Sequence, residues 1–209
     1  MKLLLVGATG LVGSHVLQQA LSDSRIERVV APTRKALPEH ERLESPLVDF
    51  DRLPEGAPWW KADAVICTLG TTIKAAGSRE AFRRVDHDYP LSVARLSRRH
   101  GTLNYVLNSA MGADAASVIF YNRVKGEVEQ ALAGVGFASL THVRPGLISG
   151  ARKDSRPGEQ LAIVAVRALG PLLPRRLRLN PAENIARALL EAARRAEPGV
   201  HVVSSEALI

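Results

Sequence analysis

The stretch Lys2-Leu3-Leu4-Leu5-Val6-Gly7-Ala8-Thr9-Gly10-Leu11-Val12-Gly13 runs four large apolar residues into three glycines spaced by threes. A lysine followed by leucines is how a secretory leader begins, but a leader needs about 7 to 15 apolar residues and a small-residue cleavage site. Here the run breaks after Val6. A short apolar run that ends in glycine reads instead as a buried strand. Beyond it the period changes, with Leu11, Val12, Val16, Leu17, Ala20 and Leu21 recurring at helical spacing. Strand, glycine turn and helix together give the glycines a mechanism. Gly7 makes the tight turn, Gly10 lets the backbone approach a pyrophosphate, and Gly13 lets the helix pack closely on the strand. The helix N-terminus adds free N–H groups and the positive end of a dipole. Gly7, Thr9, Gly10, Leu11 and Val12 are therefore candidate phosphate-binding residues of a dinucleotide site, in the spacing G-x-x-G-x-x-G rather than G-x-G-x-x-G.

Working outward, short Val-, Ile- and Leu-rich runs alternate with amphipathic stretches of helical length, the pattern of a parallel sheet covered on both faces. Strands are expected at Lys2–Val6, Arg28–Pro32, Leu43–Val48, Ala62–Thr68, Leu103–Asn108, Ala138–Val143 and Val200–Val203. Helices are expected after Gly10, over Arg79–Arg99 with a kink at Pro90, over Phe120–Ala133, and over Ala182–Arg195 with Asn180 as its cap and Pro181 at its first position. The fold class is α/β: a Rossmann-like, doubly wound parallel sheet of about seven strands. One domain over 1–209 is expected. The proline- and arginine-bearing segment at about 150–180, with a short apolar helix over Gln160–Leu169, is an insertion that covers the substrate, because about 30 residues cannot build a core alone.

Composition narrows the classes. The chain has 209 residues, a formal charge of +7 and a pI near 10.1, which raises nucleic-acid binding. However, the excess concentrates between Ala151 and Asn180, where seven arginines and lysines face only Asp154 and Glu159, and no aromatic residue there could stack a base. No nucleic acid is expected, and no apolar stretch reaches the roughly 18 residues of a membrane span. Cys67 is the single cysteine and lies in the apolar run ADAVICTLG, so a buried, reduced thiol and a cytoplasmic location are expected. The six histidines show no metal-ligand spacing, so no metal is expected. Trp59-Trp60 reads as a packed loop corner. Long surface helices such as Arg79–Arg99 could pair in a homodimer.

The second strand selects the dinucleotide. NAD calls for an acid near its end to bond the ribose 2′-hydroxyl, whereas a 2′-phosphate calls for cations. Ala31-Pro32-Thr33-Arg34-Lys35 offers Arg34 and Lys35, with no carboxylate before Glu39, which favours NADP. Asp49 and Phe50, after the third strand, could flank the adenine, although a turn aspartate reads equally well.

The chemistry concentrates in NSAMGADAASVIFYNRVKGEVEQAL. Tyr121 and Lys125, four apart on a helix, share a face. A neighbouring ammonium favours the phenolate form of a tyrosine and so suits it to proton transfer. Ser109, at the end of the fifth strand, could bond a substrate carbonyl. It lacks the G-x-S-x-G elbow of an acyl-transfer nucleophile.

With these residues in view, the chain resembles the atypical, NAD(P)-binding short-chain dehydrogenase/reductases over nearly its full length. The resemblance lies in the turn Gly7 to Gly13, in Tyr121-Asn122-Arg123-Val124-Lys125 and in Arg144-Pro145-Gly146. More narrowly, Cys67-Thr68-Leu69-Gly70-Thr71-Thr72, Val85-Asp86-His87-Asp88-Tyr89, Met111-Gly112-Ala113-Asp114, Lys125-Gly126-Glu127-Val128-Glu129 and Ser155-Arg156-Pro157-Gly158-Glu159 resemble the Tat-interacting-protein subgroup. The resemblance implies that Leu69, Gly70 and Thr71 line the cofactor, that Lys125 anchors its ribose, and that the backbone at Pro145 approaches the nicotinamide carboxamide. The best-known members of the class carry Asn-Ala-Gly after the fourth strand and a catalytic asparagine on the next helix. Here Leu69-Gly70-Thr71 replaces the first, and Asp86 lies near the place of the second.

The expected function is an NADP-dependent oxidoreductase that moves a hydride between nicotinamide and a carbonyl or alcohol. Tyr121 would be its acid/base, Lys125 the tuner and Ser109 the polariser. The arginines of 150–180 suit a medium-sized, anionic small-molecule substrate. The alternative, drawn from regulatory roles in the subgroup, is a non-catalytic NADP(H)-binding module that presents a partner-binding surface.

Overall fold

The computed structural model describes residues 1–150, 174–175 and 178–209. The expected helix over Gln160–Leu169, and most of the expected covering segment, lie outside the described residues.

In the first strand, β1 (Lys2–Val6), the side chains alternate. Leu3 and Leu5 enter one apolar layer and Leu4 and Val6 the other, all fully buried. Only a sheet covered on both faces buries both sets. The remaining strands are β2 (Arg28–Val30), β3 (Leu43–Glu44), β4 (Ala64–Cys67), β5 (Asn104–Asn108), β6 (Ser139–Val143), β7 (Ile148–Ser149), β8 (Asn180–Pro181) and β9 (Gly199–Val203). Seven of them form a parallel sheet in the order β3-β2-β1-β4-β5-β6-β9. This is the doubly wound dinucleotide-binding order, which reverses direction between β1 and β4 and opens a crevice at the strands' carboxyl ends.

Helices α1 (Leu11–Ser22) and α6 (Ala182–Arg195) cover one face, packing Val12, Val16, Ile185 and Leu189 onto Leu3, Leu5 and Ile66. Helices α4 (Tyr89–Arg99) and α5 (Phe120–Ala133) cover the other, with Val93, Val128 and Leu132 against Leu4, Val65 and Tyr105. Trp59 and Trp60 form a packed corner in this second layer, with ring centroids 4.2 Å apart and the Trp60 indole donating to the Pro54 carbonyl. Cys67 is buried in the same layer.

Three local expectations need correction. First, β2 and β3 are shorter than their apolar runs, because Pro32 and Pro46 lack the N–H that would extend the ladder. Second, Arg79–Arg99 is not one α-helix. It comprises α3 (Arg79–Arg83), a π turn over Arg84–Asp88 and α4, and the Tyr89 N–H reaches back five residues to the Arg84 carbonyl. Pro90 cannot donate to the Asp86 carbonyl, and the wider turn absorbs that loss. A further short helix, α2, spans Ile73–Ala76. Third, Asn180 does not cap α6; Pro181 occupies the cap position. Asn180 lies in β8, paired with β7, and its side chain accepts from Gly146 N at 2.7 Å and donates to the Ser205 carbonyl at 2.8 Å. It therefore ties the turn after β6 to the C-terminal segment.

Candidate cofactor and active site

The glycines themselves test whether the residues fit a dinucleotide. Gly7 has φ +92°, and a Cβ there would lie 2.7 Å from the Thr68 backbone. A Cβ on Gly13 would stand 2.1 Å from the Gly7 carbonyl oxygen. Both are therefore glycine because the protein's own packing requires it. Gly10 differs: its nearest neighbour would be Gly7 O at 3.4 Å, an ordinary contact, and its backbone is extended at φ −77°, ψ 168°. The fold does not need a glycine there, but a group approaching from the carboxyl edge would. Gly10 is the N-cap of α1 and no side chain caps the helix, so its first N–H groups face the crevice. Thr9 is exposed, Leu11 is half-buried, and Val12 is buried in the core, so Val12 can offer a ligand only its backbone.

Leu4 of β1 pairs with Val30 of β2, so the chain leaving β2 emerges beside the glycine turn. Thr33 Oγ1 accepts from Lys35 N and donates to Lys35 O, fixing the bend. Arg34 and Lys35 are exposed there. Asp49 and Phe50 are occupied differently. Asp49 accepts from the backbone of Asp51 within its own turn, while Phe50 is 7% exposed and packs on Tyr89 at 5.5 Å.

Past β4, Leu69 is half-buried, Gly70 is exposed, and Thr71 donates its N–H to Asp86 Oδ2 at 2.8 Å. Asp86 sits in the π turn, only 1% exposed, and its Oδ1 stands 2.8 Å from Lys125 Nζ. This contact is ionic rather than a directed hydrogen bond, since Oδ1 has no hydrogen-bond partner of good geometry. Burial works against the Lys125 ammonium, but Asp86 and then Tyr121 outweigh it, leaving its pKa above the ordinary lysine value. Lys125 is 4% exposed. Tyr121, one turn earlier on α5, is half-buried with its ring 5.6 Å from Phe82. A Cβ on Gly70 would meet Asp86 Oδ1 at 3.5 Å and Lys125 Nζ at 3.9 Å, so the ion pair lies directly beneath that glycine.

Ser109 points elsewhere. Its hydroxyl donates to Glu129 Oε1 at 2.5 Å, and Glu129, 6% exposed, also takes both ends of the Arg144 guanidinium. His142, beside this group on β6, is 3% exposed; burial pushes its pKa down, while Glu129 opposes the shift and Arg144 adds to it. Pro145 is buried and its carbonyl accepts from Met111 N at 2.8 Å, joining the loops after β5 and β6. Gly126 allows the loop after β5 to lie against α5, since a Cβ there would be 2.1 Å from Ala115 N. The structure thus gathers Gly70, Thr71, Asp86, Tyr121 and Lys125, and sets Ser109 within a second polar group. Sequence reasoning named Asp86 only as a departure and missed Glu129. The available signal was the four-residue stripe Tyr121, Lys125, Glu129 along α5. Among the described residues no helix is long and apolar enough to cross a membrane, and no three metal-ligating side chains gather.

Comparison with known proteins places this arrangement. The chain is 37% identical over 163 residues to Protein HTATIP2 of Rattus norvegicus, spanning 76% of this chain and 67% of that one. It is 36% identical over 174 residues to the Emericella nidulans protein fmp52, mitochondrial, spanning 79% and 75%. MoeE5 in complex with UDP-glucose and NAD shares the fold with a TM-score of 0.72 at 19% identity, over 97% of this chain and 75% of that one. WbmH of Bordetella bronchiseptica, in complex with NAD+, does so at 0.70 and 16%, over 98% and 75%. No family model matches the chain. The expectation of a cytoplasmic location is corrected: relatives from Emericella nidulans and Candida albicans are named mitochondrial. A single cysteine in an apolar run does not distinguish the cytoplasm from another reducing compartment.

Proposed function

Because the chain belongs to the family of HTATIP2 and fmp52, atypical short-chain dehydrogenase/reductases, we propose that it is an NADP-dependent oxidoreductase acting on a carbonyl or alcohol. The observation that carries this reading is Lys125: a buried lysine kept charged, one helical turn from Tyr121, under the exposed Gly70 at the carboxyl edge of the sheet. The dinucleotide, when bound, supplies or accepts the hydride. Gly10 and the N–H groups opening α1 receive its phosphates, and Arg34 with Lys35 suits a 2′-phosphate. Lys125 Nζ holds the nicotinamide ribose hydroxyls and places its positive charge beside Tyr121 Oη. In reduction Tyr121 Oη gives its proton to the substrate oxygen, and in oxidation it takes that proton back. Ser109 polarises a carbonyl only after its hydroxyl turns from Glu129. The arginines of the segment over 150–180 favour an anionic small-molecule substrate.

The engagement of Ser109 with Glu129 favours a second reading, a module that binds NADP(H) and presents a partner surface without turnover. Nicotinamide fluorescence on titration with NADPH and NADH tests the shared premise: wild type binds NADPH more tightly, and Arg34→Ala removes the preference. A screen of carbonyl substrates with Tyr121→Phe as control separates the two readings. Turnover that the variant abolishes while it still binds NADPH supports the enzyme; binding with no turnover in the wild type supports the module. If neither nucleotide binds, both readings fall.

A further inference from the structure

We infer that Asp86 is the positioning residue of the active-site lysine, holding the Lys125 ammonium under Gly70 before any cofactor arrives. This rests on the reading of Lys125 as part of the cofactor site. The geometry is specific. Asp86 is 1% exposed and its two oxygens divide their work, Oδ2 accepting the Thr71 N–H at 2.8 Å and Oδ1 facing Lys125 Nζ at 2.8 Å. The Thr71 N–H would be satisfied equally by a neutral asparagine, the residue the best-known members of the class carry near here. A full negative charge in so buried a place is costly unless a cation answers it, and Lys125 is that cation. Asp86 is carried on the π turn, whose extra residue rotates the helical register just before Pro90.

The groups facing Lys125 come from three elements: Asp86 from the π turn, Tyr121 from α5 and Cys67 from β4. Burial pushes the Cys67 thiol up, so it stays neutral, and Asp86 is the standing anion of this set. Without it, only Tyr121 and Cys67 still oppose burial, so the Lys125 ammonium is held less firmly and its midpoint falls. Removing a carboxylate at this distance moves a partner's midpoint by about one pH unit or more.

The test follows the lysine directly. Protein labelled with 13C at the lysine ε-carbons is titrated by NMR as wild type, Asp86→Asn and Asp86→Glu, with Lys125→Met assigning the resonance. The expected result is a Lys125 midpoint that falls by about one pH unit or more in Asp86→Asn and returns toward wild type in Asp86→Glu, with amide spectra showing all three folded. A midpoint in folded Asp86→Asn that matches wild type overturns the inference. Should Asp86→Asn fail to fold, the wild-type resonance decides: Lys125 must stay charged beyond the exposed lysines, and a midpoint below theirs overturns it. NADPH titration of the same proteins keeps the readings apart. A shifted Lys125 with no NADPH binding in wild type leaves the positioning role standing and removes the cofactor reading. Binding with an unshifted lysine does the reverse.

Discussion

Gly10→Ala and Gly13→Ala are the same substitution three residues apart, and the structure assigns them opposite consequences. At Gly13 the new Cβ would lie 2.1 Å from the Gly7 carbonyl oxygen and 2.6 Å from Thr68 Oγ1, and the first of these is backbone. Overpacking of this kind costs up to about 3 kcal/mol, and the better helix propensity of alanine returns about 1 kcal/mol. The net loss is about 2 kcal/mol, which for a chain of this size lowers Tm by about 4 to 8 °C. At Gly10 the Cβ meets only Gly7 O at 3.4 Å, in a backbone conformation that alanine adopts readily. Stability should then stay within about 0.5 kcal/mol of wild type. If the turn receives the phosphates as proposed, the methyl group stands in their way, so NADPH affinity should fall at least about tenfold, or about 1.4 kcal/mol. Thermal unfolding and nicotinamide fluorescence on both variants decide the matter. If Gly10→Ala binds NADPH as wild type does, the turn is not the phosphate site. If Gly13→Ala melts with wild type, the close approach of α1 to β1 has been misread.

Asn180→Ala leaves the Gly146 N–H and the Ser205 carbonyl without their side-chain partner, and chemical denaturation should show a loss of about 2 to 4 kcal/mol. Arg144→Met strands the buried Glu129 carboxylate and should cost about 3 to 5 kcal/mol, most of it recovered when Glu129→Leu is added; a double variant as unstable as the single would refute the pairing. His142 is held neutral in the folded state, its pKa pushed below the ordinary 6.5, so protons bind the unfolded chain preferentially. Stability is therefore complete above about pH 6.5 and declines as pH falls below it, and His142→Gln should flatten that decline in melts between pH 7.5 and 5.

The parallel sheet was legible because burial on both faces leaves a one-dimensional trace: Leu3 to Val6 and Ala64 to Cys67 have no polar side to hide. The glycine turn was legible for a related reason, since Gly13 answers the Gly7 carbonyl within one strand–turn–helix unit, although the Thr68 backbone that Gly7 answers is distant in sequence. The π turn was not. A helical pattern persists from Arg79 to Arg99 because the chain does keep its direction, and the widened register shows only in what it does with Asp86, whose partners Thr71 and Lys125 lie 15 and 39 residues away. Asn180 misled for the same reason: before a proline and a helix it reads as a cap, and the claims of Gly146 and Ser205 on its side chain are tertiary. Ser109 was placed at the correct strand end. What its hydroxyl would meet depended on Glu129, 20 residues on, which the spacing of α5 marks but does not interpret.

The features that escaped local rules share one location, and this bears on what they are for. A buried Asp–Lys pair adds little stability over apolar side chains of the same volume, so stability gives no strong reason to keep Asp86 and Lys125 in the core. A widened helical turn before Pro90 is not a cheaper helix than an ordinary one. Both stand near the carboxyl end of β4, beside the place where the sheet reverses direction, and the ion pair lies directly beneath Gly70. In a doubly wound sheet that crevice is where ligands bind. A buried charge held on a widened turn beneath a glycine is the arrangement expected of a site that keeps its ammonium in place before its ligand comes.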